Sequence, residues 1–597
     1  MNGIDKITIR NGSFIYNGTV PGLPNDKRAT FITPTYYGCH TMCGSAPQLN
    51  TPGTALGLVT TWVFPFAILL SLPYESSIAT KKVRRTVIAV LNWLGSPQTS
   101  LTATIDNFLQ IRRCHRRVKD EEHDKAWNNL LYVVSVFNQF DLPSRAEQED
   151  FIRALVYGLY CTVNITNSNQ LNRPEVRLTR DLLSELASQL RLLRRKGVIP
   201  TLASLATFLV AFVFSVVLSF AAVGKDATVS PLVLGLGFGW LPTLVIFAIV
   251  DRNPVSSVRS AVLMSRWLFN VNAIHTCFSE SALGDVSRIQ WWTAEPSDND
   301  QPGENTAANM IAPEDVQTED DAKPDNESQD LNGPQSDNAT QQGSEVESGE
   351  CEVIDDRTPF KGIPPAFRVG EFIGQGRRMQ YSGLASAVLE NIDSSHFGHH
   401  LVSCDSATSA IVRRLNGRRP AAWFVTACVS LFLVFSQLAM AFMLAYNTPS
   451  VGLGCWSGGY VVYAFLSSIS WIVQLFCKRP GRWTRFLCHT SNGLAFCFLI
   501  AFTLAMLTGA FNSCFCMTLF GRSYMNFESS EFYLKFFHVG RYWIGATVIG
   551  GLVPFISFLW AVFGWLKCQH LWTVNETGRS TGELKSREIN SDWLRYN

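Results

Sequence analysis

Residues 231–254 read PLVLGLGFGWLPTLVIFAIVDRNP. The run is apolar for about 20 residues, the length at which a helix crosses a bilayer core. Gly235, Gly237 and Gly239 thin its first half, Pro242 sits mid-run, and Asp251-Arg252 closes it. Read as a membrane span over 232–250, it organises the rest of the chain, because six further apolar segments surround it and long polar regions hang between them. The expected fold class is all-α: a polytopic membrane protein with about seven transmembrane helices, a helical cytosolic region and a disordered acidic linker.

Composition agrees. The 597 residues are 47% apolar and 16% charged, against roughly 25% charge in soluble domains. The net charge of +2 hides an asymmetry: residues 294–356 hold 19 Asp/Glu and one Lys, so the remainder carries 49 Lys/Arg against 29 Asp/Glu. Under the positive-inside rule that basic excess belongs on cytosolic faces. The first 20 residues lack the apolar core of a signal peptide, so the first span is expected to act as its own signal.

In chain order, residues 1–54 form a polar tail with sequons at Asn11 and Asn17, expected to be glycosylated on an extracellular or luminal face. The first span is 55–72. No Lys or Arg lies in the 20 residues before it, whereas Lys81, Lys82, Arg84 and Arg85 follow. This predicts the N-terminus outside and the C-terminus in the cytosol, in the plasma membrane or a secretory-pathway membrane. Residues 73–199 read as a cytosolic helical region. Its basic clusters, such as Arg112, Arg113, Arg116 and Arg117, are candidates for anionic lipid headgroups. The second and third spans are 200–223 and 232–250. The spacing of Gly235 and Gly239 permits close approach of a neighbour, with the second span the expected partner.

Residues 251–292 carry an interfacial-helix pattern, with a soluble packed helix as the alternative. Residues 293–356 lack the apolar content to fold alone and read as a disordered cytosolic linker that offers a surface to protein partners. Thr318 and Ser344, each with an acidic residue three positions on, are phosphorylation candidates. A cytosolic region, 357–420, leads into spans at 421–446, 458–477, 486–508 and 542–566, and the tail 567–597 is cytosolic.

Cys39, Cys43, Cys455, Cys514 and Cys516 fall on expected outer segments and are disulfide candidates, with pairing open between Cys39–Cys43 and a bond across the two outer loops. His396, His399 and His400 resemble one histidine box of a membrane di-iron enzyme, but such centres need several boxes. The remaining histidines are scattered singly. No metal, cofactor or catalytic residue is therefore expected, and nucleic acid is not an expected partner. Asp251-Arg252 at an inner span end resembles the D-R-Y of rhodopsin-like receptors, yet no NPxxY closes the seventh span and loops of over 100 residues interrupt the bundle. GQGRRM at 374–379 lacks the G-K-[ST] ending of a phosphate loop.

LNWLGSP at 91–97, GVIP at 197–200 and WLPTLVIFAIVDRNP at 240–254 together resemble a group of functionally uncharacterised multi-pass membrane proteins of filamentous fungi. The resemblance implies an integral membrane protein and supplies no site residues. The expected function is a non-enzymatic membrane protein with cytosolic docking regions. The alternatives are an export facilitator for a small apolar metabolite and, third, a seven-helix receptor.

Overall fold

The computed structural model describes residues 35–43, 49–50, 79–120, 125–160, 173–194, 230–251, 257–280, 362–377, 383–394, 404–447, 450–477, 481–511, 520–525 and 541–571, with a few single positions elsewhere. The chain divides into two units, Met1–Trp291 with Ile363–Asn597, and Trp292–Gly362. Nearly all of the second, and with it the expected acidic linker, lies outside the described residues, as does most of the expected spans 55–72 and 200–223.

The described residues are mostly helical. In order, the helices are α1 (Tyr36–Cys43), α2 (Ala79–Gly95), α3 (Pro97–Asp120), α4 (Lys125–Phe137), α5 (Gln148–Tyr160), α6 (Pro174–Leu192), α7 (Ser230–Gly237), α8 (Trp240–Asp251), α9 (Ser257–Glu280), α10 (Leu384–Ser394), α11 (Cys404–Asn416), α12 (Ala421–Asn447), α13 (Cys455–Phe476), α14 (Arg482–Thr508) and α15 (Arg541–Lys567). Two short strands, β1 (Ser450–Leu453) and β2 (Phe520–Met525), pair antiparallel, with Leu453 opposite Phe520.

Four helices are long and apolar enough to cross a membrane: α12, α13, α14 and α15. They match the expected spans 421–446, 458–477, 486–508 and 542–566 to within a few residues. Their outer faces keep large apolar side chains exposed, among them Phe432 at 62%, Phe465 at 69% and Phe563 at 61%. Such a surface is an aggregation liability in water and a normal one in lipid.

The organising stretch differs from a single span. It folds as two half-helices, α7 and α8, separated by a turn at Phe238-Gly239. Proline explains the break. In a continuous helix the Pro242 ring would collide with the carbonyl of residue 238 and offer it no N–H. Here Leu241 N donates to Phe238 O at 2.9 Å, and Pro242 sits in the first turn of α8, where a missing donor is harmless. Leu232 to Ala248 are all buried. Around them pack α3, α12 and α15, and the whole stretch shares one core with Trp93, Phe108, Leu438, Tyr460 and Phe502.

Within the helical region 73–199 the first two helices pack on the apolar bundle: α2 lies along α14, and α3 packs against α8, α12 and α13. Only α4, α5 and α6 fall into a second layer, together with α9, α10 and α11. The reason is polar complementarity at the α2–α3 corner. Ser96 Oγ donates to Ser467 O at 2.9 Å, Tyr463 Oη donates to Leu94 O at 2.7 Å, and Gly95 lies directly on the backbone of Asn492. A side chain at Gly95 would prevent that approach.

Within 251–292, α9 is not interfacial. Residues Ser260 to Leu268 are buried on every face, packed on α5 and α6, with Trp267 against Gly158. Protein, not lipid, covers the apolar side, which is the soluble-packing alternative. The segment 372–377 clasps the α2–α3 corner: Trp93 Nε1 donates to Gln375 O at 2.8 Å and Asn92 Nδ2 to Arg377 O at 2.6 Å. Gln375 and Gly376 take positive φ, 55° and 68°, so GQG is a tight turn that aims carbonyls at the corner.

Candidate functional site

The most unusual feature of the bundle is the break between α7 and α8. A half-helix end inside a membrane bundle leaves backbone polar groups that a continuous helix would satisfy, and irregular backbone at such depth is tolerated where it is buried in protein or lines a cavity. Gln437 of α12 lies against this break. It is 1% exposed, and neither its amide oxygen nor its amide nitrogen has a hydrogen-bond partner. A Cβ on Gly239 would stand 2.5 Å from its Oε1, and one on Gly550 of α15 would stand 3.7 Å from the same atom. Glycine at 239 is therefore what lets the amide lie against the break, whereas at Gly550 a Cβ would only touch the amide and would collide instead with Leu236 of α7. Trp240 Nε1, at the start of α8, and Thr547 Oγ1, one turn before Gly550, are also buried without partners. A buried amide without partners costs about 1–3 kcal/mol, so its retention is not explained by stability.

Beside the break lies a cavity of about 10 Å³, lined by Gly237, Phe238, Leu438, Tyr460, Phe502 and Thr503 among others, room for about one water. On the outer side of Leu438 and Tyr460 a groove of about 420 Å³ runs between α12 and α13, walled by Phe435, Ala439, Phe442, Val461, Phe465 and Ser468. Leu438 and Tyr460 line both spaces. Tyr460 Oη donates to Val233 O of α7 at 3.1 Å, and its ring packs edge-on to Phe502 at 5.1 Å. Tyr460 is thus the wall between an outward apolar groove and the broken helix.

The surroundings of the break are uncharged. Along α12 and α13 there is no Asp, Glu, Lys or Arg, and in α14 and α15 the charged residues lie in the terminal turns. Asp106 of α3 is the exception nearby, two residues before Phe108, whose ring packs on Phe247 at 5.4 Å and Trp560 at 5.2 Å. Sequence analysis does not single out Asp106. A lone acid in the otherwise neutral PQTSLTATIDNFLQI was the available signal.

The sequence-predicted site residues are not gathered here. His396, His399 and His400 lie outside the described residues, as do Asn11, Asn17, Thr318, Ser344, Cys514 and Cys516. Cys39 and Cys43 fall on α1, and their side chains are not described. Cys455 is disulfide-bonded. Among the described residues no group of three or more His, Cys, Asp or Glu could hold a metal ion. Asp251 ends α8. The Gln437 amide makes no hydrogen bond to a neighbouring helix.

No protein-family model, curated protein or solved structure matches the chain. Four membrane-length apolar helices are what a membrane protein requires, and the character of the site rests on its own geometry.

Proposed function

We propose that the chain is a polytopic integral membrane protein of about seven spans, without a catalytic centre, that binds and passes a small neutral or apolar molecule at the α7–α8 break. The carrying observation is the unpartnered, fully buried amide of Gln437 aimed at a discontinuous helix. Discontinuous helices in bundles are where transporters commonly bind their cargo. The route runs from the groove between α12 and α13, past Tyr460, to the break. The lack of charge along the span interiors favours a neutral cargo over an ion.

Orientation follows from two independent signals. Arg413, Arg414, Arg418, Arg419, Arg482 and Arg485 gather at the end where Arg419 donates to Leu475 O and Cys477 O. That end faces the cytosol by charge. The disulfide of Cys455 lies at the other end of α13, and disulfides persist on the oxidising side. The resemblance to fungal multi-pass proteins agrees with an integral membrane protein.

The test is stopped-flow light scattering on proteoliposomes with a panel of neutral solutes: urea, acetamide, glycerol and short-chain alcohols. Wild-type protein should raise permeability to at least one solute above empty liposomes, and Gln437→Leu should abolish the increment while its melting temperature stays equal or rises. Permeability no greater than that of empty liposomes for every solute refutes the reading. A Gln437→Leu protein that conducts normally removes the amide from it.

A further inference from the structure

Two buried side-chain amides of this protein are answered by a second amide. Asn138 Nδ2 of α4 donates to Asn107 Oδ1 of α3 at 2.9 Å, and Asn492 Nδ2 of α14 donates to Asn92 Oδ1 of α2 at 2.8 Å. All four side chains are buried. Gln437 departs from this pattern. Among the described residues it is the buried amide that leaves both its oxygen and its nitrogen without a partner, whereas Gln98 and Asn492 each leave the oxygen only. The nearest hydroxyls along α12 are turned to their own helix: Ser436 Oγ donates to Leu433 O at 3.1 Å and Ser430 Oγ to Thr426 O at 2.8 Å.

An amide open at both ends calls for a ligand that fills both. A primary amide carries, along one edge, a C=O that accepts and an N–H that donates. Two such edges set face to face close a ring of two hydrogen bonds. A hydroxyl holds its donor and its acceptor on one atom, so it reaches one end and leaves the other desolvated and unpaired. A diol reaches both only by freezing its rotatable bonds. The trans peptide unit points its N–H and C=O to opposite sides, so a secondary amide of that shape cannot close the ring either. The ligand is small, because the space beside the break is about 10 Å³, and it is neutral, because α12 and α13 carry no charged residue.

We infer that the molecule taken up at the α7–α8 break is a small primary carboxamide or urea, held edge to edge by the Gln437 amide. This rests on the reading that a neutral molecule passes the break, and it narrows that molecule to one chemical class. Gly239 brings the break against Gln437 Oε1, since a Cβ there would stand 2.5 Å from it. Tyr460, tied to α7 by its bond to Val233 O at 3.1 Å, is the wall that gives way as the ligand enlarges the space beside the break.

The experiment measures solute entry into proteoliposomes of the full-length protein by stopped-flow light scattering, with the rate of empty liposomes subtracted. The solutes are acetamide, urea, N-methylacetamide and ethylene glycol. The protein-dependent rate for acetamide and urea should exceed that for N-methylacetamide and ethylene glycol by about tenfold, the cost of one unpaired buried polar group. Q437M, which keeps the length of the side chain and drops its amide, should lose the preference. Equal wild-type rates for all four solutes, or a preference retained in Q437M, overturn the amide class and leave the passage of neutral molecules standing. A protein-dependent rate for water alone also overturns the class. No protein-dependent rate for any solute overturns both readings. Should Q437M not fold, competition on the wild-type protein decides: excess formamide should slow acetamide entry and excess tetramethylurea, which has no N–H, should not, whereas equal slowing by the two overturns the inference.

Discussion

Asn492 Nδ2 of α14 donates to Asn92 Oδ1 of α2 at 2.8 Å, across 400 residues of chain. Both side chains are buried, and Asn92 passes the interaction on to Arg377 O through its own amide nitrogen. This pair turns a polar loop segment into part of the span bundle, because each asparagine inside the bundle requires the other.

Asn92→Leu should lower stability by about 1–3 kcal/mol, since it strands the Asn492 amide and the Arg377 carbonyl in a buried setting. The Asn92→Leu/Asn492→Leu double variant should be less destabilised than the sum of the singles. Thermal melts of the four proteins in detergent provide the cycle. Strict additivity would show that the two amides do not interact.

Two adjacent glycines of α13 should behave oppositely. A Cβ on Gly459 would fall on the Phe502 ring, whereas nothing lies within 4 Å of one on Gly458. Gly459→Ala should therefore cost about 1–3 kcal/mol through overpacking. Gly458→Ala should be neutral or stabilising by up to about 1 kcal/mol, because alanine restricts the unfolded chain. Equal melting temperatures for the two variants would contradict the α13–α14 packing.

Orientation is testable by glycosylation. Asn11 and Asn17 are expected to be modified, and Asn164, Asn326, Asn338 and Asn575 are expected not to be. Mobility shifts of single sequon variants after glycosidase treatment read this directly, and a glycan on Asn326 would reverse the proposed sidedness.

Length and apolarity alone located α12 to α15, because a bilayer-length run of apolar residues depends on composition and on nothing distant. Pro242 carries a signal of the same local kind, since proline's missing N–H acts within one turn. It could not say that the chain would stop and restart at Phe238-Gly239, because that outcome depends on Tyr460 and Gln437 crowding Gly237 and Gly239 from other helices. Nor could it move α2 and α3 into the bundle. Their polarity reads as solvent exposure until Asn492, Ser467 and Tyr463 are seen to receive it. The apolar face of α9 could have met lipid as well as protein, and only the packing of α5 and α6 decides between them. Composition speaks for how much surface must be hidden; tertiary structure decides what hides it, because the partners of a buried amide or an apolar face lie hundreds of residues away.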